Sequence, residues 1–472
     1  MKKILRTQLF FIMLLPVTLM AQWSNPVNIS PNAMNASMNE NMGPCMASSH
    51  DTLHVIWSDH RTHGYAIYYI RSIDSGNTWS TAVAITDTMG YASMPSLAVN
   101  GRNIHVVWWD TLLGIACSYY EHSLDGGNTW GGKLCIDSNT DYWPGVAVSG
   151  ATVLISIDKK PALRTTVFMT KSINNGNSFG AEQQISTPIS GTGRSEDQGM
   201  ATDGKYIHMC WNDNRDHPLN PRVLETYYRR SKDMGATWET EVDLTDTTSY
   251  SPMVFLDSAH VDVAFGFGNI GNAWLSQSDD SGNIRGSNFR VTTNSNPNES
   301  EAYPFLVHDG LNIYMVSHIF PTIPWGEWYT QSSDGGITWS PQILLGSCSG
   351  TAFITLTCPL LNVVWPDNGI IYYTRNPTGG LSCSTTTGIA NTKHNDTGIS
   401  VFPNPASTTA IINFGEGGIH TIELYDVTGR KLSRSTCTET EFKFSCSELS
   451  AGIYFIKVTH NNSNSIIKFL KQ

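Results

Sequence analysis

Charge is scarce in this chain, and what there is leans negative: 29 Lys and Arg stand against 40 Asp and Glu in 472 residues, a net charge of −11. A surface that binds nucleic acid needs a basic face to displace counterions, so no nucleic-acid partner is expected. Apolar runs are equally sparse. The one at residues 9–19 follows Lys2, Lys3 and Arg6 and precedes Ala21, the pattern of a cleaved secretory signal over 1–21 and too short for a membrane anchor. No other stretch could span a bilayer, so no transmembrane segment is expected in the mature chain. The nine cysteines form no CxxC and no cysteine–histidine spacing that reads as zinc, so neither a metal nor a cofactor is expected. Export permits disulfides. Cys117 with Cys135, Cys348 with Cys358 and Cys437 with Cys446 are near enough in sequence to pair, and an odd count leaves at least one thiol over.

What the chain has in abundance is a repeated phrase. SIDSGNTW from Ser72 recurs as SLDGGNTW from Ser123, SINNGNSF from Ser172, SKDMGATW from Ser231 and SSDGGITW from Ser332, with a decayed copy, SDDSGNIR, from Ser278. The copies start 47 to 59 residues apart, room for one four-stranded antiparallel sheet with its turns. Each is preceded by an apolar run, a polar loop and a run rich in tyrosine, as in LHVIWSDHRTHGYAIYYIRS. A seventh such hairpin, LNVVWPDNGIIYYTRN, carries no intact phrase. The expected fold is therefore all-β, a seven-bladed β-propeller over 22–380, with six blades as the alternative. Naming the strands of a blade A to D from the axis outward, the phrase falls between C and D, and A often follows a proline (Pro44, Pro95, Pro144, Pro252, Pro304). The last hairpin lacks its own D strand, but QWSNPVNIS near the N-terminus reads like TWSTAVAIT and would supply one, closing the ring and removing an open edge. Residues 381–398, rich in Thr, Ser and Asn, read as a linker. Residues 399–472 alternate apolar and polar positions between turns and predict a small Ig-like β-sandwich.

The phrase reads as carpentry. Gly76, Gly127, Gly235 and Gly336 supply the positive φ of a tight turn; Asp74, Asp125, Asp233 and Asp334 satisfy backbone donors of the same loop; Trp79, Trp130, Trp238 and Trp339 are apolar plugs. In an up-and-down sheet these turns share one face with the A-to-B turns, so a site belongs on the opposite face, among the B-to-C and D-to-A loops. The B-to-C loops bring Asp59, Arg61, Asp110, Arg164, Asp213, Arg215, Arg222 and Trp325. The D-to-A loops bring Asp141, Tyr142, Trp143, Arg194, Glu196, Asp197, Tyr250, Glu299, Glu301 and Tyr303. Aromatic faces with acids and arginines suit an acidic sugar ring. The competing reading makes WSDHR and WNDNR two copies of one turn, with Asp capping the hairpin and Arg paired beside it.

The repeated S-x-D-x-G-x-T-W resembles the Asp-box, or BNR, repeat of the sialidase superfamily. That resemblance implies a propeller and, in the enzymes, three arginines on the substrate carboxylate, a Tyr nucleophile activated by Glu, and an Asp acid/base. The Arg-Ile-Pro motif that announces the first arginine is absent; NMGPCMASS stands in its place without an arginine. The leading expectation is a binding module for a glycan or a cell-surface protein. The alternative is a retaining exo-glycosidase, with three of Arg61, Arg164, Arg194, Arg215 and Arg222 converging, Tyr303 beside Glu299 or Glu301 as nucleophile pair, and Asp59 as a further catalytic candidate. A purely structural surface protein is the third possibility. The tail phrases VFPNPAS, IELYDVTGRKL and LSAGIYFIKV resemble the sorting domain of type IX secretion substrates, which implies a Sec signal, the type IX machinery as partner, and release or anchoring at the outer surface.

Overall fold

The computed structural model describes most of residues 23–376 and 400–471; segments left out include 39–42, 62–63, 160–164, 188–194, 218–219, 221–222, 293–299 and 321–324. The expected signal and linker, Cys358, and the candidates Asp141, Tyr142, Arg164, Arg194, Arg222 and Glu299 lie outside the described residues. Among those described, every regular element is a strand. The chain divides into two compact bodies near residue 383.

In the first body, each apolar run and its tyrosine-rich partner pair as the central hairpin of a four-stranded antiparallel sheet. Sheet 1 is Met46–Ser49, Thr52–Asp59, Ala66–Ser72 and Val83–Ala84; sheet 2 is Ser93–Asn100, Asn103–Leu112, Ile115–Ser123 and Gly131–Asp137. Sheet 3 is Gly145–Ser149, Thr152–Lys159, Thr166–Ser172 and Gln183–Gln184; sheet 4 is Ser195–Thr202, Ile207–Asp213, Glu225–Ser231 and Val242–Asp243. Sheet 5 is Ser249–Asp257, His260–Phe267, Asn272–Ser278 and Phe289–Arg290; sheet 6 is Ser300–Asp309, Asn312–Phe320, Gly326–Ser332 and Ile343–Ser347. Sheet 7 is Phe353–Thr357, Leu360–Asp367 and Ile370–Asn376, completed by Val27–Asn28 from the N-terminal side, so the strand exchange expected from QWSNPVNIS occurs. Strand A of each sheet packs beside strand A of the next, and that of sheet 7 returns to that of sheet 1. This circular order is a β-propeller.

Cross-strand aromatic pairs fill the blades. Trp57, Trp108, Trp211 and Trp365 on strand B are almost wholly buried, and each stacks on the tyrosine opposite it on strand C: Tyr68, Tyr119, Tyr227 and Tyr372. A hydroxyl just past strand D then returns to strand C. Thr86, Ser186, Thr245, Thr292 and Ser30 accept the backbone N–H of Ile67, Val167, Thr226, Ala273 and Ile371.

The repeated phrase closes on itself. The Asp74 carboxylate accepts the Ser72 hydroxyl, the Thr78 N–H and the Thr78 hydroxyl, at 2.7, 2.8 and 2.7 Å, and the Gly76 N–H donates to Ser72 Oγ at 2.8 Å. Asp125, Asp233 and Asp334 repeat the set. The Thr78 N–H and hydroxyl hold Asp74 down at about 2. Thr237 and Thr338 do the same to Asp233 and Asp334. Four of the boxes also lean on the A-to-B turn of their own sheet, with the N–H of Ser75, Gly126, Asn175 and Gly335 donating to Asp51, Arg102, Ala151 and Leu311 carbonyls. The boxes therefore share the A-to-B face.

The boxes also join neighbouring sheets, which the sequence reading did not anticipate. A Cβ on Gly127 would lie 2.2 Å from the Tyr69 hydroxyl of the preceding sheet; on Gly176, Gly282 and Gly76 it would lie 1.6, 2.1 and 1.8 Å from Tyr120, Tyr228 and Tyr373. Only glycine combines that approach with φ of +77° to +84°. The first three of these hydroxyls in turn meet Nδ1 of a strand-B histidine, in the pairs Tyr69–His54, Tyr120–His105 and Tyr228–His208 at 2.7–2.8 Å. Burial pushes His54 and His105 down to about 4, so both are neutral partners. The plugs cross the same seams. Trp79 meets Tyr373, Trp130 meets Tyr69 and Phe179 meets Tyr120 edge to face at 5.0 Å, while Trp23, from the exchanged segment, meets Tyr329 at 4.8 Å.

Cys117 and Cys135 form a disulfide between strands C and D of sheet 2. Cys437 and Cys446 do not pair with each other, and Cys358, the expected partner of Cys348, lies outside the described residues. Cys348, Cys437 and Cys446 are free thiols, since Cys348 points to His318 and Cys437 engages the turn at Glu439 and Glu441. In the second body, Ser400–Phe402, Thr409–Asn413 and Glu441–Ser445 form one sheet; Lys431–Cys437, His420–Asp426, Gly452–His460 and Ser463–Lys471 form another. Alternate residues such as Ile422, Leu424, Ile456 and Val458 enter its core beside Ile412, Phe414 and Phe469.

Candidate functional site

The B-to-C and D-to-A connections meet at the face opposite the boxes. Asp59, at the end of strand B, accepts the N–H groups of Met34 and Asn35 from the preceding connection at 3.1 and 3.2 Å. Asp110 accepts the Tyr91 N–H at 2.7 Å, Asp213 the Ser195 hydroxyl at 2.9 Å, and Asp367 the Ser347 hydroxyl at 2.7 Å. One side chain at one register position thus ties the end of strand B to the chain entering its sheet: a connection in sheets 1 and 2, the first residue of strand A in sheet 4 and the last residue of the preceding strand D in sheet 7.

The arginines follow the same repeat. Arg61 pairs with Asp59 and lies over the Tyr68 ring at 4.3 Å; Arg215 pairs with Asp213 and Glu241 and lies over the Tyr227 ring at 4.2 Å. One belongs to sheet 1 and the other to sheet 4, each against its own acid and ring.

The sequence reading places strand A after its proline, and three of those prolines instead lie within the strand. Pro95, Pro252 and Pro304 lie inside strand A, at bulges between Ser93 and Ser96, Tyr250 and Met253, and Ala302 and Phe305; a fourth bulge lies between Glu196 and Gly199. The residues at the bend, Met94, Asp197, Ser251 and Tyr303, have φ of +51° to +58°. Left-handed backbone at non-glycine residues is costly and concentrates at functional rims. The signal was present as a Met, Ser or Tyr before proline, but proline's turn preference hid it.

Sheet 6 gathers the described candidates most closely. Trp325, 47% exposed, lies 6.1 Å from the His318 ring, and the Tyr303 ring lies 6.4 Å from it on another side. His318 Nδ1 stands 3.1 Å from Glu327 Oε1 and 3.0 Å from Cys348 Sγ. Burial pushes the Glu327 carboxyl up. Glu301 is committed elsewhere: it is buried and bonded to the Thr292 and Ser317 hydroxyls and to Gln342 Nε2, the last at 2.9 Å. Burial raises its pKa as well. Trp143, partly exposed, offers its carbonyl to Gln198 at 2.7 Å. Among the described residues, three groups of side chains have metal-ligand chemistry: His318, Glu327 and Cys348; Asp216, Glu225 and Asp243; and, on the box face, His260, Asp262 and His308. The first two groups draw each member from a different strand or loop, and in the third only His260 and Asp262 share a strand, so spacing along the chain could not reveal them.

Residues 400–472 match the secretion system C-terminal sorting domain family. No curated protein matches the chain. Among solved structures, the polysaccharide lyase Uly1 is similar at 10% identity and a TM-score of 0.49, over 75% of this chain and 98% of that one. Penicillium chrysogenum alpha-L-arabinanase, complexed with arabinobiose, is similar at 14% and 0.42, over 60% and 92%. Trypanosoma rangeli sialidase, with the inhibitor DANA, is similar at 10% and 0.43, over 95% and 89%. The first body is therefore a β-propeller, and residues 400–472 carry a secretion system C-terminal sorting domain.

Proposed function

We propose that this is an exported seven-bladed propeller, secreted or held at the cell surface, that binds a glycan on its loop face and does not cleave sialosides. In this reading residues 1–21 are a Sec signal, 381–398 are a linker, and the tail is an Ig-like sandwich read by the type IX machinery. The observation that carries the binding role is the exposed Trp325 ring beside His318 and Tyr303, an open aromatic platform of the kind sugars stack on. Against hydrolysis stand the pairing of Arg61 and Arg215 within separate sheets and the commitment of the Glu301 carboxylate to three donors. Asp59, Asp110 and Asp213 act as loop ties in this reading, and Trp143 is a second contact.

The mature chain on a broad glycan array tests the proposal, together with a fluorogenic sialoside. Binding that Trp325→Ala abolishes, with no fluorophore released, is the expected outcome. Silence across the array, or hydrolysis that Tyr303→Phe removes, would overturn it.

A further inference from the structure

Sheets 1, 2 and 4 end strand B's first turn with one latch. A histidine one residue past the strand-B partner of the box serine (His54, His105, His208) holds a strand-C tyrosine whose hydroxyl sits under the next sheet's box glycine. Sheet 5 lacks it. Aligned on the residue paired with the box serine, Asp262 replaces the histidine and Leu275 replaces the tyrosine. Two further departures accompany these. His308, on strand A of sheet 6, stands where the other sheets have Ser48, Val99, Val148, Thr202, Leu256 and Leu356. His260 stands where sheets 1, 2 and 3 have Thr52, Asn103 and Thr152.

All three polar substitutions meet at one point. His260 Nε2 lies 3.1 Å from Asp262 Oδ1 and His308 Nε2 lies 2.9 Å from Asp262 Oδ2. Asp262 is fully buried, and neither of its oxygens, nor His308 Nε2, is aligned for a hydrogen bond. Close donors that are not aligned on one another, but gathered round a common centre, are what a first coordination shell looks like. A carboxylate buried without hydrogen bonds is otherwise expensive. His260 Nδ1 bonds the Asp279 carboxylate at 2.5 Å, which keeps the ring proton on Nδ1 and the lone pair on Nε2; Gln277 Nε2, 3.3 Å from that nitrogen, would have to give way to the ion. An outer carboxylate of this kind orients a metal-binding imidazole.

We propose that His260, Asp262 and His308 bind a zinc ion that joins sheet 5 to sheet 6 on the box face, in place of the tyrosine–histidine–glycine latch. Two imidazoles and one carboxylate suit zinc, and the fourth position, on the partly exposed His260 side, takes water. The site is independent of the loop-face platform.

The test uses tag-free, full-length mature chain. After purification it should carry one zinc, lose it to a chelator with a fall in Tm, and regain Tm on addition of Zn²⁺ alone. Cobalt in its place should give tetrahedral d–d absorption without a thiolate charge-transfer band. Asp262→Asn should abolish stoichiometric binding, Asp279→Asn should weaken it about 10- to 100-fold, and Cys348→Ser should leave it unchanged. If Asp262→Asn does not fold, metal content and the cobalt spectrum of the unaltered chain decide. Metal-free chain whose Tm ignores Zn²⁺ would mean that the histidines are simply ion-paired with Asp262, and overturns the proposal. So would zinc that survives Asp262→Asn and vanishes in Cys348→Ser.

Discussion

The two faces of the ring use the same kinds of residue for opposite ends. On the box face, Asp74 and its counterparts spend every oxygen within their own turn, and Trp79 and Trp130 are sunk against the neighbouring sheet. On the loop face, acids tie the ends of strand B to the chain entering their sheets, four backbone positions are held left-handed, and Trp325 is left open. The box face repeats because each seam needs the same joint. The loop face varies because its loops have only to be tied, which frees their tips for recognition.

The comparison breaks most severely if the box face can be altered without cost. Trp108→Ala, in the fully buried stack that both faces depend on, should destabilise by about 3–5 kcal/mol in denaturant unfolding. Gly127→Ala should cost about 2–3 kcal/mol, from overpacking against Tyr69 and from the left-handed backbone. The double variant with Tyr69→Phe should recover part of that loss, and strict additivity would refute the seam contact. Trp79→Ala, only partly buried, should cost about 2 kcal/mol.

A smaller effect concerns acid. Asp74, Asp233 and Asp334 have folded pKa values near 2, below the ordinary value of about 4. Their contribution is thus present above that ordinary value and is lost as pH falls from about 4 through about 2. Tm measured across that window should fall less steeply in Asp74→Asn than in the unaltered chain. High salt should leave the effect largely in place, because it arises from hydrogen bonds within the turn rather than from distant charge.

Much of the box face was legible because a repeat in sequence is a repeat in contacts. Ser72, Asp74, Gly76 and Thr78 act within one turn, so their spacing encodes their bonds. The exchanged strand was legible for the same reason, since Ile29–Ser30 repeats Ile85–Thr86. Contacts across a seam were not. Nothing in the spacing of Gly127 says that its hydrogen faces Tyr69, 58 positions earlier in the numbering. On the loop face, the WSDHR and WNDNR copies pointed to paired turns, and Asp59–Arg61 and Asp213–Arg215 are paired as that reading expects. Residues His318, Glu327 and Cys348 come from a strand end, a strand start and a loop, and sequence order gave no hint of their meeting. The bulges at Tyr303 and its counterparts were hidden behind prolines that also fit a plain turn.

The division of labour between the faces is tested most directly by measuring glycan-array binding and Tm together for Trp325→Ala and Trp79→Ala. Trp325→Ala should lose binding while its stability stays within about 0.5 kcal/mol of the unaltered chain, and Trp79→Ala should lose stability while still binding below its Tm. Ligand binding abolished by Trp79→Ala in folded protein, with Trp325→Ala binding as before, would contradict the account.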